Sequence, residues 1–193
     1  MKIAILGWGS LLWKPTSKGK TLLTVPTMKW QKDGPEIPLE FCRISKDNRL
    51  TLVAEESYPV QRCYWILHQY ADVELGLHNL KDREGTSIEF VASIAKSDSL
   101  PACPIKHRVW EWIQHRPLDA VIWTALKSNF QKPFSPEEAV KYLRDLVDKD
   151  AGYAAKEYFT KTPPQIQTAT RDLVRTNLGW SDESDQFWSH LID

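Results

Sequence analysis

Two stretches of the chain carry residue types that can do chemistry. The first is Gly7-Trp8-Gly9-Ser10-Leu11, directly after the apolar run Lys2-Ile3-Ala4-Ile5-Leu6. Glycine at the end of a strand lets another group approach the backbone closely, and successive N–H groups in such a turn converge on an anion. This stretch therefore reads as a cradle for a small oxyanion or carboxylate. The second is Glu84. Val73, Leu77 and Leu80 recur at helical spacing, and Glu84 continues the series, so its carboxylate falls on the apolar face. A carboxylate is costly to bury there and opposes the helix dipole in a last turn. Desolvation is also how a carboxyl becomes a working acid or base. The plain alternative is a cap or surface charge.

Competing motifs fit less well. A dinucleotide fingerprint needs a third glycine where Leu12 stands and an acid at a second strand end. Pro15 discourages the helix that should follow, and Asp33 falls in a Lys-Asp-Gly-Pro turn. Ser10 has no His–acid pair at a recognisable spacing. The five histidines form no H-E-x-x-H and do not cluster with cysteines, so no metal site is expected. Arg43 and Arg62, on strands next in order, are candidates to pair a substrate carboxylate, against the plainer reading of a solvated face or structural ion pair. Glu89 and Glu111 read as surface charges. Cys42 and Cys63 sit in strand-like runs and read as inert buried thiols.

The elements that must hold these residues follow from periodicity. The apolar run before Gly7 is a strand. Residues 14–36 read as a loop with a short element at Leu22-Leu23, a candidate lid. Leu39–Ile44 and Leu50–Ala54 form a hairpin around Lys46-Asp47-Asn48-Arg49. Gln61–Leu67 is a third, aromatic strand. A helix covers 71–84 and ends at Gly85. Ser87–Ile94 returns as a strand with Ile88, Phe90, Ala92 and Ile94 on one face, and Val109–Ile113 is a helix or bent segment. Ala120–Leu126 is the last strand. Ser135-Pro136 opens a run of helices, the first with a buried stripe of Ala139, Leu143 and Leu146-Val147. Others cover Tyr153–Phe159 and 170–178, and a short one packs the tail. Strands, one helix, strands, then helices favour an α+β fold with a mixed or antiparallel sheet. Hairpins at this spacing can curl into a small barrel.

Composition narrows the function classes. The 193 residues are 42% hydrophobic and 26% charged, with zero formal net charge. That is ordinary globular composition with no bulk attraction to nucleic acid or an anionic membrane. An odd cysteine count without C-x-x-C fits a reducing cytosol, and no apolar stretch reaches the length of a membrane span. A cytoplasmic protein is expected, with a small-molecule or protein partner. Nine tryptophans leave some for a cleft, Trp8, Trp13 and Trp30 being the candidates, or for a homodimer interface.

Ile5-Leu6-Gly7-Trp8-Gly9-Ser10-Leu11-Leu12-Trp13-Lys14-Pro15 resembles the substrate loop of the gamma-glutamylcyclotransferases. That loop typically reads Tyr-Gly-Ser-Leu after a first strand, so Trp8 stands at the tyrosine. The continuation Leu-Trp-x-Pro is most similar to the glutathione-degrading, ChaC-like branch. Leu80-Lys81-Asp82-Arg83-Glu84-Gly85 resembles the family's Leu-Asp-x-x-Glu-Gly segment, with Lys81 displacing the first acid. The resemblance implies one domain over 1–193, with a compact mixed or antiparallel β-barrel core over about 1–130 and a helical extension over about 135–193. It implies Glu84 as catalytic acid/base and Gly7, Trp8, Gly9, Ser10 and Leu11 as the substrate loop. The implied reaction cyclises a small γ-glutamyl compound to 5-oxoproline and expels an amine, with no cofactor or metal. The alternative expectation is a non-catalytic binding or interaction module on the same fold.

Overall fold

The computed structural model describes residues 1–17, 21–22, 24 and 27–193. It is a mixed α+β structure. Ile3–Gly7 forms β1, buried along its whole length. β1 lies inside a four-stranded sheet, antiparallel to β7 (Tyr64–Leu67) and parallel to β9 (Ala120–Thr124). β9 in turn pairs antiparallel with β8 (Val91–Ala95), giving the order β7-β1-β9-β8. A strand covered on both faces reads as an unbroken apolar run, as Ile-Ala-Ile-Leu does.

A second, antiparallel sheet has the order β5-β4-β6, from Leu50–Ala54, Glu36–Ile44 and Val60–Arg62. β4 and β5 form the expected hairpin, with Asn48 taking the left-handed conformation in its turn. The register slips between Phe41 and Arg43, which makes Cys42 the extra residue of a bulge. Thr16–Ser17 (β2) and Thr21–Leu22 (β3) pair with each other. The expected element at Leu22-Leu23 thus begins in β3, while Leu23 lies outside the described residues, as do residues 18–20, 25 and 26 of the loop read as a candidate lid.

The single strand expected over Gln61–Leu67 is two strands. β6 pairs with β4 in one sheet and β7 with β1 in the other. The chain changes sheets at Cys63, whose N–H donates to Pro35 O and whose carbonyl accepts from Gly34. Alternation alone cannot reveal such a switch, because each half keeps its own period. The ladders among the described residues do not close into a ring, so the architecture is two sheets around one core rather than a hydrogen-bonded barrel.

Six helices among the described residues flank the sheets. Val73–Glu84 (α1) starts at Asp72, whose carboxylate accepts from Leu75 N, and ends at Gly85 with φ 60°. It packs on β8 and β9 through Gly76 and Leu80. Ile88–Phe90, expected in a strand, is instead a 3₁₀ turn that leaves Ile88 exposed. Pro104–Gln114 (α2) buries Val109 and Ile113. Pro136–Arg144 (α3) buries Ala139 and Leu143, but Val147 lies beyond it and is exposed.

Asp150–Thr160 (α4) packs on β5, while α3 and Ala169–Leu178 (α5) pack on each other and on β4. Asp185–Ser189 (α6) precedes a tail that bridges to Trp30. Fully buried Arg171 fixes the α4–α5 connection. Its guanidinium donates to the carbonyls of Thr162, Pro163 and Ile166 and to the Asp182 carboxylate at 2.6–3.0 Å. Five donors in a fixed fork allow one side chain to satisfy several buried carbonyls. Among the described residues, no helix is long and apolar enough to cross a membrane.

Candidate active site

The turn after β1 closes with Leu12 N donating to Gly9 O and Lys14 N to Ser10 O. The N–H groups of Gly9, Ser10 and Leu11 donate to no described residue. Three consecutive donors without an acceptor among the described residues are what an anion cradle requires. Trp8 does not swing into solvent. It is buried, and its Nε1 donates to Leu52 O at 3.4 Å, tying the loop to β5. Gly9 is glycine because a methyl group there would overlap the Tyr158 hydroxyl.

Glu84 is the last residue of α1, and the left-handed turn at Gly85 leaves its side chain half-buried beside the loop. The bridge between them is Arg83. Its Nη1 donates to Glu84 Oε1 at 2.6 Å and its Nη2 to Ser10 Oγ at 3.1 Å. Nε and Nη2 also reach Lys14 O at 3.1 and 2.8 Å. Arg83 itself is only 8% exposed along its side chain, so these bonds are shielded from water and stronger for it.

Gly7 to Leu11, Arg43 and Glu84 all line one cavity of about 710 Å³. Five cations and two acids face it: Lys14, Arg43, Lys46, Arg49 and Arg83 against Asp47 and Glu84. Arg49 pairs with Asp47 at 2.7 Å. Burial works against the Asp47 carboxylate, but the Ser45 hydroxyl and Arg49 hold it below the usual range. Arg43 has no carboxylate partner among the described residues; its Nη1 donates to Lys127 O at 2.7 Å. Among the described residues Lys46 reaches only Gly85 O, at 3.2 Å. The cavity thus presents positive charge toward whatever fills it.

Arg62 is the candidate that does not belong. It lies on β6, pairs with Glu36 at 2.7 Å, and stands outside the cavity with more than half its side chain exposed. The sheet switch at Cys63 turns β6 away from the loop. Trp13 and Trp30 do not line the cavity either, and Trp30 is core. Cys42 and Cys63 are buried free thiols, and burial pushes Cys42 up to about 11. Glu89 and Glu111 are exposed. Among the described residues no three His, Cys, Asp or Glu side chains gather as metal ligands.

Arg83, Arg49 and Tyr158 were given no role in the site from sequence. Arg83 had a signal, adjacency to Glu84. Arg49 had none beyond a turn position, and Tyr158 lies more than seventy residues from the rest. Comparison with protein-family models, with curated proteins and with solved structures finds no match to this chain.

Chemically the site offers three things together. A carboxylate can move a proton, backbone donors can hold an oxyanion or carboxylate, and cations can bind the anionic ends of a small molecule.

Proposed function

We propose that this chain is a gamma-glutamylcyclotransferase-like enzyme that converts a small γ-glutamyl compound to 5-oxoproline with release of an amine. The supporting observation is that Glu84 lines one cavity with Gly9, Ser10 and Leu11, whose N–H groups donate to no described residue, and that Arg83 bridges Glu84 to Ser10. The substrate's α-amine nitrogen attacks its own γ-carbonyl carbon. Glu84 takes the proton from that nitrogen and later returns it to the leaving nitrogen as the amide C–N bond breaks. The cavity holds the chain folded for five-membered closure. Loop N–H groups supply donors to the γ-glutamyl group, and Arg43 takes a carboxylate. Arg83 holds the Glu84 carboxylate in line and fixes the loop through Ser10 and Lys14.

The same reading carries a barrel-like closure of the two sheets, with β6 and β7 as the strap joining them through Cys63. A cytoplasmic location goes with it, in keeping with three free cysteines. The second reading, a binding module without turnover, draws support from the Arg83–Glu84 ion pair, which already occupies one oxygen of the carboxylate.

The test is 5-oxoproline release, read by mass spectrometry, from glutathione and a panel of γ-glutamyl amino acids and amines. Wild type and Glu84→Gln are compared. Product from wild type alone is expected. Binding of γ-glutamyl compounds by both proteins with product from neither would select the binding module.

A further inference from the structure

Tyr158, on α4, takes no part in the scheme above, yet it stands in the same cavity as Gly9 and Glu84. Its ring is packed on several sides. Trp13 and Phe41 meet it edge-on at centroid distances of 5.7 and 6.4 Å, and the Arg49 guanidinium lies 5.7 Å over its face. The Thr162 hydroxyl donates to the Tyr158 carbonyl at 2.9 Å, one turn further along. The phenol oxygen accepts from Leu52 N at 3.3 Å and sits directly against Gly9.

That leaves one group unspent. The Leu52 bond uses a lone pair of the oxygen, and the O–H proton meets no acceptor among the described residues. A buried donor without an acceptor costs free energy and is uncommon. The acceptor is therefore to be sought in what fills the cavity. Glu84 works on the two nitrogens bonded in turn to the γ-carbon. The oxygen of that same carbon lies within one bond of the reacting centre, so a donor beside Gly9 and Glu84 serves it best.

We propose that Tyr158 is a catalytic donor, its O–H hydrogen-bonding the oxyanion that forms on the γ-carbonyl during ring closure. This rests on the cyclotransferase reading. It also makes α4, and with it the helical third of the chain, a working wall of the site. The hydroxyl stays protonated at neutral pH. Burial pushes it up to about 12, and the nearby Glu84 carboxylate acts in the same direction, against the Leu52 bond, Arg49 and Arg83.

Steady-state kinetics of 5-oxoproline release would compare wild type with Tyr158→Phe. Loss of one oxyanion donor lowers kcat by about 100-fold. KM should stay within about twofold, because the interaction forms only as the charge develops. A raised KM with kcat intact would overturn the proposal, placing the hydroxyl on a ground-state group such as the α-carboxylate. Wild-type kinetics in a folded Tyr158→Phe would overturn it as well.

Should Tyr158→Phe fold poorly for want of the Leu52 acceptor, site-specific 3,5-difluorotyrosine at position 158 keeps that acceptor and makes the phenol more acidic. The alkaline limb of kcat should then move to lower pH. An unmoved limb would mark the tyrosine as structural only. Absence of 5-oxoproline from wild type with every substrate is a separate outcome: it removes the cyclotransferase reading, and this donor falls with it.

Discussion

Two cavities of similar size lie against the same stretch of chain, and their contrast is instructive. The first, of about 710 Å³, holds Gly9, Glu84 and five cations. The second, of about 780 Å³, is walled by Ala54, Tyr58, Ala92, Ile105, Trp123 and Phe134. Side chains alternate between them along 123–127. Thr124 and Leu126 face the first, while Trp123, Ala125 and Lys127 face the second, as the two-residue period of extended chain requires. The larger cavity is the poorer in chemistry. Its Glu55 is already tied to Lys132, and its one exposed thiol, Cys103, has no base beside it closer than Glu56 at 3.9 Å. Volume does not separate the two cavities; unspent donors lining one of them beside a carboxylate do.

The sharpest way to break this contrast is to disarm one cavity at a time. Glu84→Gln removes the proton carrier and should lower 5-oxoproline release by about 10²–10⁴-fold, the usual worth of a positioned acid or base. Cys103→Ser, in the second cavity, should leave the rate unchanged. Equal losses from the two variants in the mass-spectrometric assay would sink the assignment of chemistry to the first cavity.

Gly9→Ala tests the same wall by shape. Its methyl overlaps the Tyr158 hydroxyl, and overpacking of this kind costs about 1–3 kcal/mol. A lower thermal midpoint and a kcat reduced tenfold or more (a misplacement of about 1 Å can cost 10²-fold) are expected together. Ile105→Ala, across the sheet, should lower stability without touching kcat. An active, fully stable Gly9→Ala would mean that the loop and α4 do not meet as described.

Local physics made part of this site legible in the sequence. The strand before Gly7, the glycine turn, the helix ending at Gly85 and Glu84 on that helix's inner face all depend on neighbours a few residues apart. So do the Lys46–Arg49 hairpin and the proline-started helix at Ser135. What stayed hidden depends on distant partners. The bulge at Cys42 leaves Arg43 in the cavity, and the sheet change at Cys63 takes Arg62 out of it. From spacing alone the two arginines were equivalent. Tyr158 reached the site only through α4 packing on β5, and no periodicity announces that. The strand expected from Ser87 failed at its start because Ile88–Phe90 turns back before β8 begins.

Alkaline pH separates the two cavities by stability. Cys42 lies by the second, where Tyr58 and Ser128 hydrogen-bond near it, and burial raises it from 9.0 to about 11. Tyr158, by the first, rises from 10.0 to about 12. For both groups the folded value lies above the unfolded one. Their contribution is therefore fully present below pH 9 and is lost as pH climbs through the folded values. Each accounts for something on the order of 1–3 kcal/mol. Cys42→Ala should flatten the fall in denaturation midpoint between pH 9 and 11 while leaving the later fall in place. An unchanged profile in that variant would show that the thiol ionises alike in the folded and unfolded states, with no shift from burial.

The smallest expected difference is the one between the two arginines, and it bears most directly on which side of the molecule meets substrate. Arg43 offers donors that no carboxylate of the described chain occupies. A hydrogen bond to a charged group contributes about 1.5–3 kcal/mol, roughly a factor of ten or more in affinity. Arg43→Gln should therefore raise KM about tenfold at low salt, with the wild-type advantage shrinking as ionic strength rises. Arg62 forms an exposed pair with Glu36, and such pairs are typically worth about 0–1 kcal/mol. Arg62→Gln should leave KM, kcat and the salt profile as they are. If Arg62→Gln instead raised KM, substrate would have to reach across β6, and the cavity between the glycine loop and the end of α1 would no longer be enough to hold it.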